Sequence, residues 1–415
     1  MDQIDCCCAE LLTVRNKLWN HQRYMARYDV AIIGAGPAGS SAALTLAERG
    51  VRVALLERAR FPRYKTCGAG IVGRAVQVLP AAARQAVERE CHTAELNMLD
   101  SDMQFRVTRK EPVVWMSMRD KLDHILAKNA QQAGAFLEEE CNVVNAKNGK
   151  EGVTIETSKG DLVASYAILC DGALSSIAKK VGWAETRTLF PAVEWEVSVS
   201  PDIFEKFRHA ARFDFGLVPQ GYAWLFPKGS HLSVGVASMR RTRVSLNAAL
   251  RRHLASLGIE AGENVSRHGA VVAMGHREGG FMKHRFLLAG DAAGFADPVS
   301  GEGISFATAS GKAAASALLN GRLIERNVEE AYLAILEETI LCELRPALYL
   351  GKLLYGPAAI RNYVFRRKGQ ELAEAVTDVI SGKATYHELA TRVRGYLKRM
   401  LKPDLARIFG RLDID

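Results

Sequence analysis

The sequence predicts an α/β protein. Its core is a doubly wound, Rossmann-like dinucleotide-binding domain, joined to an α+β sheet-based domain and closed by a helical C-terminal segment. Three observations predict this. A glycine-rich turn separates an apolar strand from a small-residue helix within residues 28–50. A second strand, glycine turn and helix follow within residues 286–319. Strand-like runs dominate residues 186–275 between them.

The first element is the run Tyr28 to Ile33, which reads as a buried parallel strand because it is apolar without alternation. It enters Gly34-Ala35-Gly36-Pro37-Ala38-Gly39, a G-x-G-x-x-G match in the context that gives the motif meaning. Gly34 permits the sharp turn, Gly36 lets backbone approach a pyrophosphate, and Gly39 lets helix and strand pack closely. The helix that follows offers free N–H groups and its positive dipole end to phosphate. Val51 to Leu56 form a second strand, and Glu57 closes it about twenty residues on, where a carboxylate accepts hydrogen bonds from ribose and disfavours a 2′-phosphate.

The middle of the chain is mixed. An amphipathic helix is expected over 116–134, with Leu122, Ile125 and Leu126 on one face. Strand-like pieces follow at 152–158 and 162–169, then at 192–199, 222–228 and 231–237, interrupted by a helix near 245–257. Residues 330–411 read as mostly helical. The expected organisation is an N-terminal extension (1–27), a discontinuous cofactor domain (28–95, 115–185 and 276–330), a substrate domain (96–114 and 186–275) and a helical domain (331–415). Residues 1–27 read as an upstream appendage, with a start at Met25 compatible with the same fold.

The late segment selects among dinucleotides. Leu287 to Ile304 place Asp291 at a strand end, then a second glycine turn and a helix. Asp291 suits a ribityl hydroxyl of FAD. Gly301 and Gly303 let backbone approach an isoalloxazine ring, and the helix opening at Ile304 stabilises negative charge on reduced flavin. Between the two segments, Asp171-Gly172-Ala173-Leu174-Ser175 resembles the D-G-x-x-S element of flavoprotein hydroxylases, which places Asp171 and Gly172 near the flavin diphosphate. Those enzymes usually carry Arg three residues after the Ser; Ala178 stands here, followed by Lys179 and Lys180.

Further strings carry a more specific resemblance: Pro62-Arg63-Tyr64-Lys65-Thr66-Cys67-Gly68-Ala69-Gly70, Arg119 followed by Asp123, and Tyr222-Ala223-Trp224-Leu225-Phe226-Pro227-Lys228. With the two glycine segments, they make the chain resemble the geranylgeranyl reductase family of FAD-dependent oxidoreductases from about Tyr28 to about Leu319. The resemblance implies FAD as cofactor, hydrogenation of isoprenoid double bonds on lipids or pigment side chains, and a hydrophobic or lipid substrate. It leaves NADPH, ferredoxin or another carrier protein open as electron donor. By matching position it adds Ala38, Cys67, Ala69, Gly70, Arg119 and Val144 to the FAD contacts. The candidate catalytic set is Cys67, Tyr222 and Trp224: a thiol beside the flavin, and aromatic rings that alternate along one strand and so share one face. An FAD monooxygenase or a halogenase is the alternative on the same fold.

Composition sets the outer limits. The 415 residues are 48% hydrophobic and 24% charged, the balance of a globular protein, with a net charge of +9. No apolar run reaches the length of a membrane span, and the N-terminus lacks a signal-peptide pattern, so a cytoplasmic location is expected. The basic residues of the C-terminal helices suit a peripheral contact with anionic headgroups; no nucleic-acid module is present. None of the eight cysteines forms a C-x-x-C pair, which argues against a zinc ribbon, and they are expected to be reduced thiols. Cys6, Cys7 and Cys8 receive no role.

Overall fold

The computed structural model describes residues 27–239, 244–260, 262 and 265–400. Cys6, Cys7 and Cys8, and the basic residues beyond Met400, lie outside them. Three sheets organise the chain. The eight-stranded sheet has a parallel centre in the order Phe286–Leu288, Gly160–Leu169, Arg27–Ile33, Val53–Leu56 and Phe136–Glu138. The stretches 30–33, 53–56 and 166–169 of its central strands are buried and, Tyr166 apart, aliphatic, as a parallel sheet covered on both faces requires. Helix α1 (Pro37–Ala47) lies on this sheet. Its small residues admit a second long helix, whose Gly311 sits where any Cβ would overlap the Ala38 carbonyl.

The seven-stranded sheet runs Val265–Met274, Thr188–Val197, Leu232–Ser238, Gly221–Pro227, Ala210–Phe215, Thr93–Met98 and Met103–Thr108. Its two faces do different work. Ala223, Leu225, Val234, Val236 and Trp195 pack against the helix Leu246–Ser256, whose Leu250 and Leu254 complete that core. Tyr222, Trp224 and Phe226 point the other way, as period-two alternation demands. Thr93–Met98 runs across residue 95, so the expected division between the first two units falls inside a strand of this sheet. A small three-stranded sheet (Gly70–Val72, Val114–Ser117 and Val87–Cys91) bridges the two larger ones.

The helical C-terminal region is present as expected: Glu325–Leu336, Cys342–Leu354, Ala358–Ile380 and Tyr386–Met400. It is not a free appendage. Tyr355 donates its hydroxyl to the Val299 carbonyl at 2.7 Å, and Tyr386 donates to Asp297 at 2.6 Å, so these helices brace the late glycine turn. No helix among the described residues is long and apolar enough to cross a membrane. Among the described cysteines, Cys67, Cys91, Cys170 and Cys342 are free thiols.

Candidate active site between the two large sheets

Four segments enclose one cleft: the early glycine turn, the loop Lys65–Gly70, the late turn Asp291–Ile304 and the inner face of the seven-stranded sheet. Counting its open mouth, it encloses about 1550 Å³ of space.

The early turn is shaped by its glycines. Gly34 has φ +99, a left-handed conformation, and a Cβ there would lie 2.5 Å from the Cys170 carbonyl oxygen. A Cβ on Gly39 would overlap the Gly34 carbonyl. Gly36 instead faces open space, its nearest neighbour being Arg119 Nη2 at 3.9 Å from a Cβ built there. Gly36, Pro37 and Ala38 line the cleft, whereas Gly34 and Gly39 serve the turn behind it. No side chain caps the N-terminus of α1, so its N–H groups and positive dipole end face the cleft.

A buried charge network backs this turn. Arg119, at the start of the helix Arg119–Gln132, holds Asp123 through two bonds of 2.7 and 2.8 Å. Arg63 reaches Asp123 at 2.9 Å and Glu57 at 3.2 Å. Glu57 also accepts the N–H groups of Ala35 and Ala59, at 3.2 and 3.1 Å. Burial opposes the charge on Arg119, yet Asp123 and Cys67 beside it hold its pKa above the ordinary value. Burial likewise opposes the charge on Asp123, and Arg119 and Arg63 outweigh it, so this carboxylate stays below its usual range.

The late turn mirrors the early one. Asp291 lines the cleft, and a Cβ on Gly303 would lie 3.4 Å from Asp291 Oδ1. Gly301, at φ +71, lies against the Tyr222 hydroxyl, which donates to the Ser300 carbonyl at 3.0 Å. Burial and the charge of Asp297 push the Tyr222 pKa up, so the phenol keeps its proton. The helix Ile304–Asn320 begins at Gly303, which has no side chain to cap it, and Glu302 Oε1 from the turn accepts the Ser305 N–H at 2.7 Å. Behind the turn, fully buried Asp297 gathers Arg74, Tyr386 and Ser300.

The sheet wall is of another kind. Phe190, Ala192, Phe213, Tyr222, Trp224, Phe226, Met239, Val272 and Met274 line it, and among the described residues no charged side chain does. The charged residues among those that line the cleft are Lys65, Arg119, Asp291 and Glu302, on the loop, the start of the helix Arg119–Gln132 and the late turn. Trp224 is buried, and its Nε1–H has no hydrogen-bond partner among the described residues. Cys67 projects from the loop between the two walls, its Sγ accepting the Ala69 N–H at 3.4 Å.

Most of the sequence-derived site residues therefore converge. Gly36, Ala38, Cys67, Ala69, Gly70, Arg119, Tyr222, Trp224, Asp291, Gly301, Gly303 and Ile304 share the cleft. Glu57 stands one layer behind it. Asp171 does not line it: its carboxylate accepts the Ser175 hydroxyl at 2.7 Å and the Ile177 N–H at 3.4 Å, capping the helix Ser176–Val181, while its neighbours Cys170 and Gly172 face the cleft. Burial raises the Asp171 pKa despite these bonds. Ala178 is fully buried, so the position of the usual Arg presents no side chain to a ligand. Val144 is exposed on the strand Val143–Asn148, and its carbonyl accepts Lys180 Nζ away from the cleft lining. Sequence reasoning missed Asp297, Glu194 and Ile380. A carboxylate inside the apolar run Ala192–Val199 was a signal for Glu194; nothing local marked Ile380, which reaches the cleft from the C-terminal helices.

The uncapped end of α1, open space before Gly36 and carboxylates at both strand ends fit a dinucleotide. Residues 27–320 match the family described as FAD binding domain. The chain belongs to that family. It is an FAD-dependent oxidoreductase of the reductase branch that the sequence resembles. Its curated relatives include digeranylgeranylglycerophospholipid reductase 2 of Methanothermobacter thermautotrophicus, 31% identical over 72% of this chain and 80% of that protein. The chloroplastic geranylgeranyl diphosphate reductase of Oryza sativa subsp. japonica is 30% identical over 74% of this chain and 71% of its own length. The menaquinone reductase of Mycolicibacterium smegmatis is 28% identical over 81% and 88%. Among solved structures, a geranylgeranyl bacteriochlorophyll reductase-like protein of Thermoplasma acidophilum superposes with a TM-score of 0.74 over 91% of this chain and all of that one, at 21% identity. The flavin-dependent brominase Bmp2 follows at 0.71, over 90% and 100%, with 17% identity. At these identities the structures speak for the fold alone.

Proposed function

We propose that the protein saturates carbon–carbon double bonds of a prenyl chain bound against the sheet wall of the cleft. The observation that carries this reading is the continuity of an uncharged, aromatic and aliphatic wall with the two glycine turns of a flavin cradle. Gly36, Ala38 and Arg119 would hold the FAD diphosphate, Glu57 the ribose, and Asp291 the ribityl chain. Gly301, Gly303, Ile304, Ala69 and Gly70 would bound the ring. Reduced FAD supplies hydride. The protein's own task is then to hold an alkene against that ring, exclude water and deliver one proton.

The residues present suit those tasks. Tyr222, Trp224 and Phe226 give a flat apolar surface to a polyprenyl chain. Cys67 sets a thiol on the wall between cofactor and substrate, from which Sγ–H can protonate the second alkene carbon. The unpartnered Trp224 Nε1–H awaits an acceptor on a bound ligand. NADPH and a ferredoxin-type carrier both fit as the source of electrons. The exposed Arg366, Arg367, Arg392 and Arg394 keep a basic face on the C-terminal helices, available to anionic headgroups, whereas Arg361 is buried against Asp100. Pelleting with acidic liposomes at low salt tests that contact; no binding removes it.

The deciding experiment is anaerobic. Chemically reduced holoprotein mixed with prenylated quinone, prenyl diphosphate or unsaturated ether lipid should yield a product heavier by two hydrogens in the mass spectrum. Turnover that requires oxygen, with an oxygen or halogen atom in the product, would establish the monooxygenase or halogenase reading instead.

A further inference from the structure

Two fully buried, oppositely charged side chains grip successive residues of the loop that carries Cys67, and neither lines the cleft. Glu194 comes from the strand Thr188–Val197, and its Oε2 accepts the Cys67 backbone N–H at 2.6 Å. Lys228 follows the strand Gly221–Pro227, and its Nζ donates to the Gly68 carbonyl at 2.6 Å and the Ser117 carbonyl at 2.8 Å. Gly68 itself is hemmed in, since a Cβ there would lie 2.9 Å from the Phe226 ring. We infer that Glu194 and Lys228 form a two-charge clamp that positions Cys67 at the cofactor, with Glu194 answering to solvent through a surface relay. They are positioning residues; neither touches the cleft.

The clamp has an energetic rationale. Buried charges are costly unless their hydrogen-bonding capacity is met. Each directs one hydrogen bond to loop backbone, Glu194 to the Cys67 N–H and Lys228 to the Gly68 carbonyl, so part of that capacity is met by holding the loop. The remaining Glu194 oxygen accepts Ser233 Oγ at 2.8 Å. Tyr64, 40% exposed, places its hydroxyl 3.3 Å from both Glu194 Oε2 and Glu196 Oε1. Glu196 in turn meets His231 Nε2 at 3.0 Å, and His268 stacks on Tyr64 at 3.9 Å. One hydroxyl proton cannot serve two carboxylates at once, so the protonation of Glu194 is tied to that of Glu196.

The titratable and charged groups facing the clamp are Tyr64, Cys67, Glu88, Arg89, Cys91, Glu196, His231 and His268. Burial and the neighbouring Glu196 raise the Glu194 pKa. Burial lowers that of Lys228 against the pull of Glu196 and Glu194. The carboxyl thus loses its charge early as pH falls, and the ammonium loses its charge early as pH rises. Both jaws are charged only in a window between.

The inference rests on the FAD reading, and its test separates the two. The visible absorbance of FAD-loaded protein is recorded from about pH 5 to about pH 10. Wild type should show an acid and an alkaline transition. Glu194→Gln should lose the acid one alone. Lys228→Met should lose the alkaline one, and Lys228→Arg should restore a clamp whose alkaline transition lies out of range. In parallel, peptide mass spectrometry follows iodoacetamide labelling of Cys67 at neutral pH. Labelling should be about tenfold faster in Lys228→Met and return to near the wild-type rate in Lys228→Arg. If Lys228→Met does not fold, Tyr64→Phe should move the acid transition to higher pH, because the carboxylate loses a donor. Identical pH curves in wild type and Glu194→Gln, Cys67 labelling unchanged in Lys228→Met, or an acid transition unmoved in Tyr64→Phe overturns the clamp. A polypeptide that takes up no flavin overturns the cofactor reading instead, and the labelling arm, which needs no flavin, still decides the clamp.

Discussion

The two walls of the cleft are built from different materials. The cofactor wall is backbone: glycines whose missing Cβ atoms leave room, the uncapped N-terminus of α1, and carboxylates fixed by arginines behind them. The substrate wall is side chain: aromatic and aliphatic groups on alternate positions of a sheet whose opposite face is an ordinary core. Backbone geometry tolerates no substitution at its tight points, whereas an apolar wall tolerates many. The first wall should therefore fail sharply and take the cofactor with it. The second should fail gradually and leave the cofactor in place.

The largest effect is expected at the centre of the charge network. Asp123 lies between Arg119 and Arg63 and is fully buried. Asp123→Ala leaves buried Arg119 without its carboxylate and Arg63 with Glu57 alone, a loss of about 3–5 kcal/mol, and should yield colourless protein with a lower denaturation midpoint in urea. Retention of a full complement of FAD at wild-type stability would show that the network does not support the cradle. Next comes Gly39→Ala, whose methyl must displace the Gly34 carbonyl. Overpacking of this kind costs about 1–3 kcal/mol, and flavin content after reconstitution should fall with it.

The same contrast explains what could be read from sequence. The cofactor wall was legible because its constraints are local: Gly34, Gly36 and Gly39 sit within one turn, and Asp291, Gly301 and Gly303 within another. The aromatic row was legible because Tyr222, Trp224 and Phe226 share one strand. What escaped depended on long-range pairing. Thr93–Met98 joins the rest of the second sheet through Ala210–Phe215, and Val265–Met274 through Thr188–Val197, partners distant in the chain. Asp297 gains its role from Arg74 and Tyr386, far away on both sides in the chain. Asp171 matched a motif, yet its carboxylate faces its own helix, because an Asp just before a helix caps it whatever lies beyond.

On the substrate wall the expected effect is smaller and of another kind. Val272 is half-buried on the strand Val265–Met274, away from both glycine turns. Val272→Ser removes apolar contact worth about 1 kcal/mol, so KM for a prenyl substrate should rise about fivefold. Flavin content and kcat should stay near wild type. Loss of flavin in this variant would mean that the two walls are not independent.

Acid should separate the walls with the least perturbation. Asp123 and Asp297 are held below the ordinary carboxylate range: burial opposes their charge, and Arg119 and Arg74 respectively outweigh it. A carboxyl depressed in the fold contributes stability above its unfolded pKa, near 4, and that stability is lost as pH falls through the folded value. Glu194 behaves in the opposite sense. Raised by burial and Glu196, it holds its proton to higher pH in the fold than in the unfolded chain, so it favours folding as pH falls from its folded value toward the ordinary one. The substrate side therefore changes protonation first and without loss of stability, while the cofactor side yields only below about pH 4. Flavin release and near-UV circular dichroism followed together from neutral pH downward should show two events in that order. Release of flavin at or above the pH of the first event would place the acid-sensitive group in the cradle, and the division of labour between backbone wall and side-chain wall would then have to be redrawn around it.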